Sequence, residues 1–281
     1  MNRLAQEVWS GAAVVTGAGS GLGAAMVERF ASVGMAIAAL DIDADRAQET
    51  ADMVIAGGGS AIAMGVDVAD RAALDRAAQA ADEAFGGCNV LCANVGVQNF
   101  GLVEKLSEGE WRWVLDVNVL GVVNTVTAFL PLMRQSGGER RILVTASSGA
   151  LVPGARLGAY TASKYAVMGI GETLRIELAD EGIGVSTLFP AGMSSRHIES
   201  SALARPGGLS GAVVTQEDID VMMSSRNMDV ATHVATPEHA TRNLLEELAA
   251  NRRFIITHGD YRDDMVERLD DLVAAFDRAQ S

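Results

Sequence analysis

The sequence predicts an α/β fold: a doubly wound, seven-stranded parallel sheet with helices on both faces, formed as a single domain over residues 1–281. Three observations carry that prediction. Short apolar runs rich in Val and Ile alternate with longer segments of helical period, as in a parallel sheet joined by crossover helices. A glycine-rich stretch, TGAGSGLG at 16–23, follows the first run and opens the first helical segment. The chain is 281 residues long and 49% hydrophobic, enough to bury a large core.

In order, the expected strands are AAVVT (12–16), MAIAAL (35–40), AIAMGV (61–66), NVLCA (89–93), RILVTA (141–146), GVSTLF (184–189) and RFIIT (253–257). Helical candidates between them include DRAALDRAAQAADEAF, with Asp70 as its cap, and the long EGEWRWVLDVNVLGVVNTVTAFLPLMRQS. Right-handed crossovers place helices on both faces, and ligands then bind beyond the carboxyl ends of the strands, where the strand order reverses. The stretch from Ala191 to Thr236, broken by RPGG at 205–208, resists assignment; its Gly, Ser and Met content suits a mobile flap over a pocket. Cys88 and Cys92 lie in one apolar run, where a strand would point both sulfurs to the same face as buried, reduced thiols.

Charge and composition exclude several classes. With 22 Lys and Arg against 36 Asp and Glu, the net charge is -14, which opposes nucleic acid or an anionic membrane surface as partner. The four histidines fall in the last third without zinc-ligand spacing, so no metal is expected. Neither the start, MNRLAQEVWSG, nor any later segment offers some 18 uninterrupted apolar residues, and the expectation is a cytoplasmic protein.

The glycine stretch has a chemical reading. Gly17, Gly21 and Gly23 let the backbone turn sharply and approach a pyrophosphate, whose charge the free N–H groups of a helix N-terminus favour, with Ser20 and Leu22 in the same turn. Asp41, closing the second strand, is placed to accept hydrogen bonds from the adenosine ribose and to repel a 2′-phosphate, which points to NAD. Ile42 and Asp43 beside it offer no cation. Asp67, with Val68 in VDV at the end of the third strand, either meets the adenine edge or caps the next helix.

Tyr160 and Lys164 of YTASK are four residues apart and, on a helix, share one face. A free tyrosine gives up its proton only near about pH 10, so an isolated phenol is a poor base at neutrality. An adjacent ammonium, together with an oxidised nicotinamide ring, stabilises the phenolate and brings its pKa toward working pH, making Tyr160 a general acid–base group.

TGAGSGLG, Asp41, ANVG (93–96), NVLG (118–121), Ser147 and YTASK, in that order, resemble the motifs of the short-chain dehydrogenase/reductase family over Gly11 to about Gly192. The resemblance implies a Rossmann-type sheet, NAD(H) or NADP(H), alcohol–carbonyl interconversion, and a catalytic tetrad of Asn118, Ser147, Tyr160 and Lys164. In that tetrad Ser147 holds the substrate oxygen, Lys164 also holds the nicotinamide ribose, and Asn118 anchors a water leading from Lys164 to solvent. The spacing of Ser147 to Tyr160 matches the family, whereas Ser148 would need a loop one residue different in length. The chain departs from the family at ANVG, where NNAG is usual and Asn94 is retained, and at PAG (190–192), where PG is usual. The resemblance also gives Asn94 and Pro190 to the cofactor site, and dimers or tetramers formed partly through the helix carrying Tyr160, with Ala162, Ala166, Met168 and Leu174 either at that face or packed on the sheet.

Beyond Pro190, GMSSRHIESSAL and VMMSSRNM mix Met, Leu and Ser in a way that adapts to a bulky, mostly apolar molecule. SSRHIESS (194–201), ITHGDYRD (256–263) and MVERLDDLVAAF are similar to a bacterial subgroup that includes Cα-dehydrogenases of lignin-derived aryl ethers, which implies a benzylic or other bulky secondary alcohol. An acyl-chain ketoreductase is the alternative within the enzyme class. A non-catalytic NAD(H)-sensing protein is the alternative outside it, but has no use for a complete proton relay.

Overall fold

The computed structural model describes residues 9–209, 215–225, 234–259 and 261–280. Its strands are β1 (Ala12–Thr16), β2 (Ala36–Asp41), β3 (Ala61–Gly65), β4 (Val90–Ala93), β5 (Arg140–Thr145), β6 (Ile183–Phe189), β7 (Gly192–Met193), β8 (Val234–Ala235) and β9 (Phe254–Ile256). Seven of these form one sheet of order β3-β2-β1-β4-β5-β6-β9, with every pairing parallel. This is the expected Rossmann-type sheet. The two-residue strands β7 and β8 pair separately, and runs that short leave no period for a sequence to display.

The helices are α1 (Gly21–Ala31), α2 (Ala44–Ala56), α3 (Arg71–Phe85), α4 (Glu108–Leu115), α5 (Gly121–Gln135), α6 (Gly158–Glu177), α7 (His197–Leu203), α8 (Gln216–Ser225), α9 (Pro237–Ala240), α10 (Leu244–Ala249) and α11 (Arg262–Gln280). Alternation along the buried strands sorts side chains to two cores: Ala13 and Val15 join Met26, Phe30 and Leu248 on one face, while Val14 joins Leu74, Phe129 and Val167 on the other. Each fully buried large aliphatic or aromatic side chain contributes about 1.5–3 kcal/mol, so both faces are needed to hold so apolar a sheet. The Asp70 cap is present, its carboxylate accepting from the N–H groups of Ala72 and Ala73.

Two expectations need correction. Cys88 and Cys92 are buried free thiols, but they lie in opposite cores, because residue 88 precedes β4 and so falls outside its alternation. Burial pushes both thiols up. The long helix is also not uniform, since α4 and α5 are joined by one π-helical turn, Asp116–Leu120. By length and composition the run Glu108–Gln135 would be apolar enough to cross a membrane, but half of its most apolar window is buried here, with Val126 and Phe129 in a core.

After β6, α7 and Arg205 lie against the body of the domain. The Ser201 hydroxyl accepts from the Gln98 N–H at 3.0 Å, and Arg205 pairs with Glu110 at 2.6 Å while stacking over Trp113. The segment ITHGDYRD braces the base of this region: His258 Nε2 lies 2.7 Å from the Gly192 carbonyl, and the Thr257 N–H donates to Phe189. Part of VMMSSRNM lies outside the described residues.

Candidate active site

The strand order reverses between β1 and β4, and at their carboxyl ends a cavity of about 910 Å³ opens. Its lining includes Asp41, Asn94 and Tyr160 and, from α8, Met222 and Met223.

The glycine loop lines the cavity beside Asp41. Gly17 has φ of 69°, a left-handed conformation open to glycine, and a Cβ at position 23 would overlap the Gly17 carbonyl. Ser20 caps α1 in extended geometry without a side-chain cap bond, and the first turn, including Gly21 and Leu22, contains no acidic residue. The helix N-terminus therefore presents N–H groups toward the cavity in an arrangement that suits an anion. The Asp41 carboxylate accepts from the Gly19 N–H at 2.9 Å and the Asp43 N–H at 3.0 Å, which fixes it beside the loop. A bulkier residue at position 19 would press on both Asp41 and Arg46. Arg46 is the cation that the neighbours of Asp41 did not announce; it lines the cavity and pairs with Asp43 at 3.2 Å. Asp67 also lines the cavity, bonding the Ala69 N–H; the cap of α3 is Asp70, so the capping alternative for Asp67 does not hold. Val68 is buried against Gly121, and its carbonyl accepts from Asn124.

Asn94 is a cross-strand tie. Its amide donates to the Thr16 carbonyl and accepts from the Thr145 hydroxyl, while its N–H donates to the Thr16 hydroxyl. It thereby joins the ends of β1, β4 and β5, despite Ala93 and Val95 on either side. Pro190 also lines the cavity, and its carbonyl accepts from the Ser148 N–H.

Three of the four expected catalytic side chains, Ser147, Tyr160 and Lys164, line the cavity, and the fourth, Asn118, is fully buried near Lys164, both lying beside Gly96. Ser147 caps the short turn Ser148–Ala150, its oxygen accepting from the Gly149 N–H at 3.1 Å, and it flanks Gly149 together with the Tyr160 ring. Ser148 is buried beside it. Lys164, buried on α6, donates to the Thr145 carbonyl at 2.9 Å and lies 5.7 Å from the centre of the Tyr160 ring. Burial lowers its pKa to about 8, which leaves it largely an ammonium at neutral pH. Gly96 makes room for it, because a Cβ there would stand 3.0 Å from Nζ. Asn118 sits in the π-helical turn, a feature frequent at functional sites. Its amide accepts from the Val97 N–H and donates to the Val97 carbonyl and the Ser163 hydroxyl, which uses both of its donor hydrogens.

Besides Arg46, sequence reasoning missed two features. Glu110 is buried and pairs with Arg205; the SEGE spacing at 107–110 carries its capping box and was the available signal. Burial raises the Glu110 carboxyl, but bonds from Ser107 and Arg205 outweigh it and hold the group below its ordinary value. The other is His197, whose ring centre lies 6.3 Å from that of Tyr160 and for which no spacing in the sequence gives notice.

Comparison with known proteins agrees with this geometry. Residues 11–205 match the family model for short chain dehydrogenases. The C alpha-dehydrogenase of a Sphingobium species is 31% identical over 90% of this chain and 82% of its own. The 1-deoxy-11-beta-hydroxypentalenate dehydrogenase of Streptomyces exfoliatus is 33% identical over 74% of this chain and 76% of its own. A short chain dehydrogenase/reductase from Burkholderia phymatum, solved in complex with NAD, superposes with a TM-score of 0.86 at 32% identity, covering 95% of this chain and 96% of that one. The chain therefore belongs to the short chain dehydrogenase family of oxidoreductases.

Proposed function

We propose that the protein is an NAD-dependent dehydrogenase that interconverts a secondary alcohol and its ketone, acting on a bulky aromatic or apolar substrate such as a benzylic alcohol. The observation that carries this reading is the convergence of Ser147, Tyr160 and Lys164 on one cavity that the glycine loop and Asp41 also line. That loop fits a pyrophosphate: its backbone cannot accept a side chain at Gly23, and the N-terminus of α1 is free of acidic residues. The Asp41 oxygens fit ribose hydroxyls, and the NAD-bound Burkholderia relative supports the same cofactor. Gly17, Ser20, Gly21, Leu22 and Gly23 would hold the phosphates, Asp41, Asp67 and Val68 the adenosine end, and Asn94, Tyr160, Lys164 and Pro190 the nicotinamide end.

When bound, the nicotinamide supplies the hydride acceptor. Tyr160 takes the hydroxyl proton during oxidation and returns it during reduction, with the Lys164 ammonium stabilising the phenolate. Ser147 holds the substrate oxygen as charge develops there. Asn118, with its side chain committed to Val97 and Ser163, acts by fixing the backbone beside Lys164.

The substrate flap of a single catalytic domain is assigned to 191–236, of which 210–214 and 226–233 lie outside the described residues; the Arg205–Glu110 pair and the Ser201–Gln98 bond support the docking of its first part beside the cavity. Assembly as a homodimer or homotetramer is supported by the exposed apolar residues Leu120, Val123 and Ile176 on the α5 and α6 side, while Met168 and Leu174 pack on the core and Ala162 stays exposed. The net charge of -14 supports a protein without nucleic-acid or anionic-membrane partners, and cytoplasmic placement is part of the same proposal.

The test is a panel of secondary alcohols with NAD, read as absorbance of the reduced cofactor, with Ser147→Ala and Ser148→Ala assayed alongside. The Ser147 variant should lose about 100-fold in turnover, the scale of one lost donor to a developing oxyanion, and the Ser148 variant much less. The reverse order moves the role to Ser148.

A further inference from the structure

His197 opens α7 and faces the cavity beside Tyr160. Its Nε2 is sealed from solvent and has no hydrogen-bond partner among the described residues. The cavity that His197 lines also carries large apolar side chains, among them Phe100, Trp113, Leu157, Leu209 and Met222. Hydrophobic side chains fill such space without leaving a buried nitrogen unpaired, which costs stability. The helix does not need the ring either: it is the His197 main-chain carbonyl that accepts from the Ser200 and Ser201 hydroxyls. An orphaned polar atom in the reaction cavity is what a ligand-binding group looks like before its ligand arrives.

We propose that His197 determines specificity by binding a second, uncharged oxygen of the substrate, a hydroxyl or ether oxygen within two or three bonds of the carbinol carbon. The inference rests on the proposed alcohol oxidation at Tyr160. The distance sets the reach: with ring centres 6.3 Å apart, a substrate whose carbinol oxygen is on Tyr160 presents its adjacent carbons to His197. Charge sets the class. Burial, and after it the Lys164 ammonium, bring the imidazole pKa down to about 4, so at neutral pH the ring is uncharged and offers a hydrogen bond rather than a counterion for a carboxylate. The substrate class is then an arylalkyl carbinol oxygenated on the neighbouring carbon, with the large apolar side chains of the cavity taking the aryl part.

The experiment compares 1-phenylethane-1,2-diol with 1-phenylpropan-1-ol, which differ by hydroxyl against methyl, in the native protein and in His197→Leu and His197→Asn. The native protein should favour the diol by about tenfold or more in kcat/KM; the Leu variant should bring the ratio to near one, and Asn should restore part of it. Equal use of the two alcohols by the native protein, or an unchanged preference in the Leu variant, would overturn the proposal. Binding is read separately, as the thermal shift that each alcohol gives the NAD-loaded Tyr160→Phe variant, with and without His197→Leu. Discrimination that depends on His197 in binding, without turnover by the native protein, would refute the oxidation and uphold the oxygen site. No discrimination in binding would sink the oxygen site whatever the turnover.

Discussion

At the strand ends, Thr16, Asn94 and Thr145 bond one another across three strands, and every hydrogen bond of the Asn118 amide goes to Val97 or Ser163. Across the cavity, 191–209 are held to that frame by a few side chains, chiefly Ser201 and Arg205, and His197 is left with a buried nitrogen unpaired among the described residues. One region meets a ligand with backbone that is already fixed and polar groups already satisfied. The other keeps a polar group in reserve and hangs from a small number of bonds. A frame of the first kind suits a cofactor shared by many reactions, while a cover of the second kind is where substrates are told apart.

The largest expected break in the first region comes from Lys164→Met. Turnover should fall by about 100-fold to 10,000-fold, the usual span of general acid–base catalysis. Stability at pH 7 should nevertheless rise, because the variant no longer buries an ammonium. The sign follows from the pKa, which is about 8 in the folded protein against an ordinary 10.5. The folded protein binds this proton less tightly, so the penalty is complete below pH 8 and vanishes as pH rises past 10.5. Its size is about 3 kcal/mol, less about 1 kcal/mol for the lost bond to Thr145. Denaturant unfolding of both proteins across that pH range checks it: the variant's advantage should shrink as pH rises, and a constant difference would contradict the account.

Asp41→Ala sharpens the comparison within the first region. The kcat/KM preference for NAD over NADP should narrow by about tenfold to a hundredfold, since each charge-assisted bond is worth roughly 1.5–3 kcal/mol and the repulsion of a 2′-phosphate goes as well. Arg46 then becomes the dominant local charge, and Asp41→Ala with Ile42→Arg should move preference further toward NADP. An unchanged ratio would mean that Asp41 does not read the ribose.

The smallest effect belongs to the cover. Glu110→Gln should weaken the pair with Arg205, raise KM several-fold and leave kcat nearly unchanged, because it touches docking and not chemistry. The pH direction is opposite to that of Lys164. The Glu110 carboxyl titrates below its ordinary 4.5, so its contribution is present above that value and is lost as pH falls through the lowered pKa. Limited proteolysis within 191–209, followed through mild acidification, should show earlier cleavage in the Gln variant.

The same contrast explains what the sequence could reveal. Gly23 and Asp41 were readable because their places require one residue type: no side chain fits against the Gly17 carbonyl, and a carboxylate at the end of β2 meets both the loop and the cavity. Tyr160 and Lys164 were readable because helical spacing alone aligns them on α6. Strands were placed within a residue or so, since apolar runs reflect burial on both faces of the sheet. His197 and Arg205 act across folds of chain far apart in sequence, and β7 and β8 are too short to have a period, so nothing local marks them, while the SEGE spacing marks Glu110 as a capping residue and not as the partner of Arg205. The opposed burial of Cys88 and Cys92 was missed for a related reason, the exact start of β4.

The central claim is that a proton relay centred on Tyr160 works beside a prebuilt NAD site. Single-turnover kinetics of native protein and Tyr160→Phe, with NAD and a benzylic alcohol that the native protein turns over, tests it when paired with calorimetric binding of NAD to each. The account predicts that cofactor affinity stays within about twofold while the chemical step slows by at least about 100-fold. A chemical step of native speed in the Phe variant would contradict it.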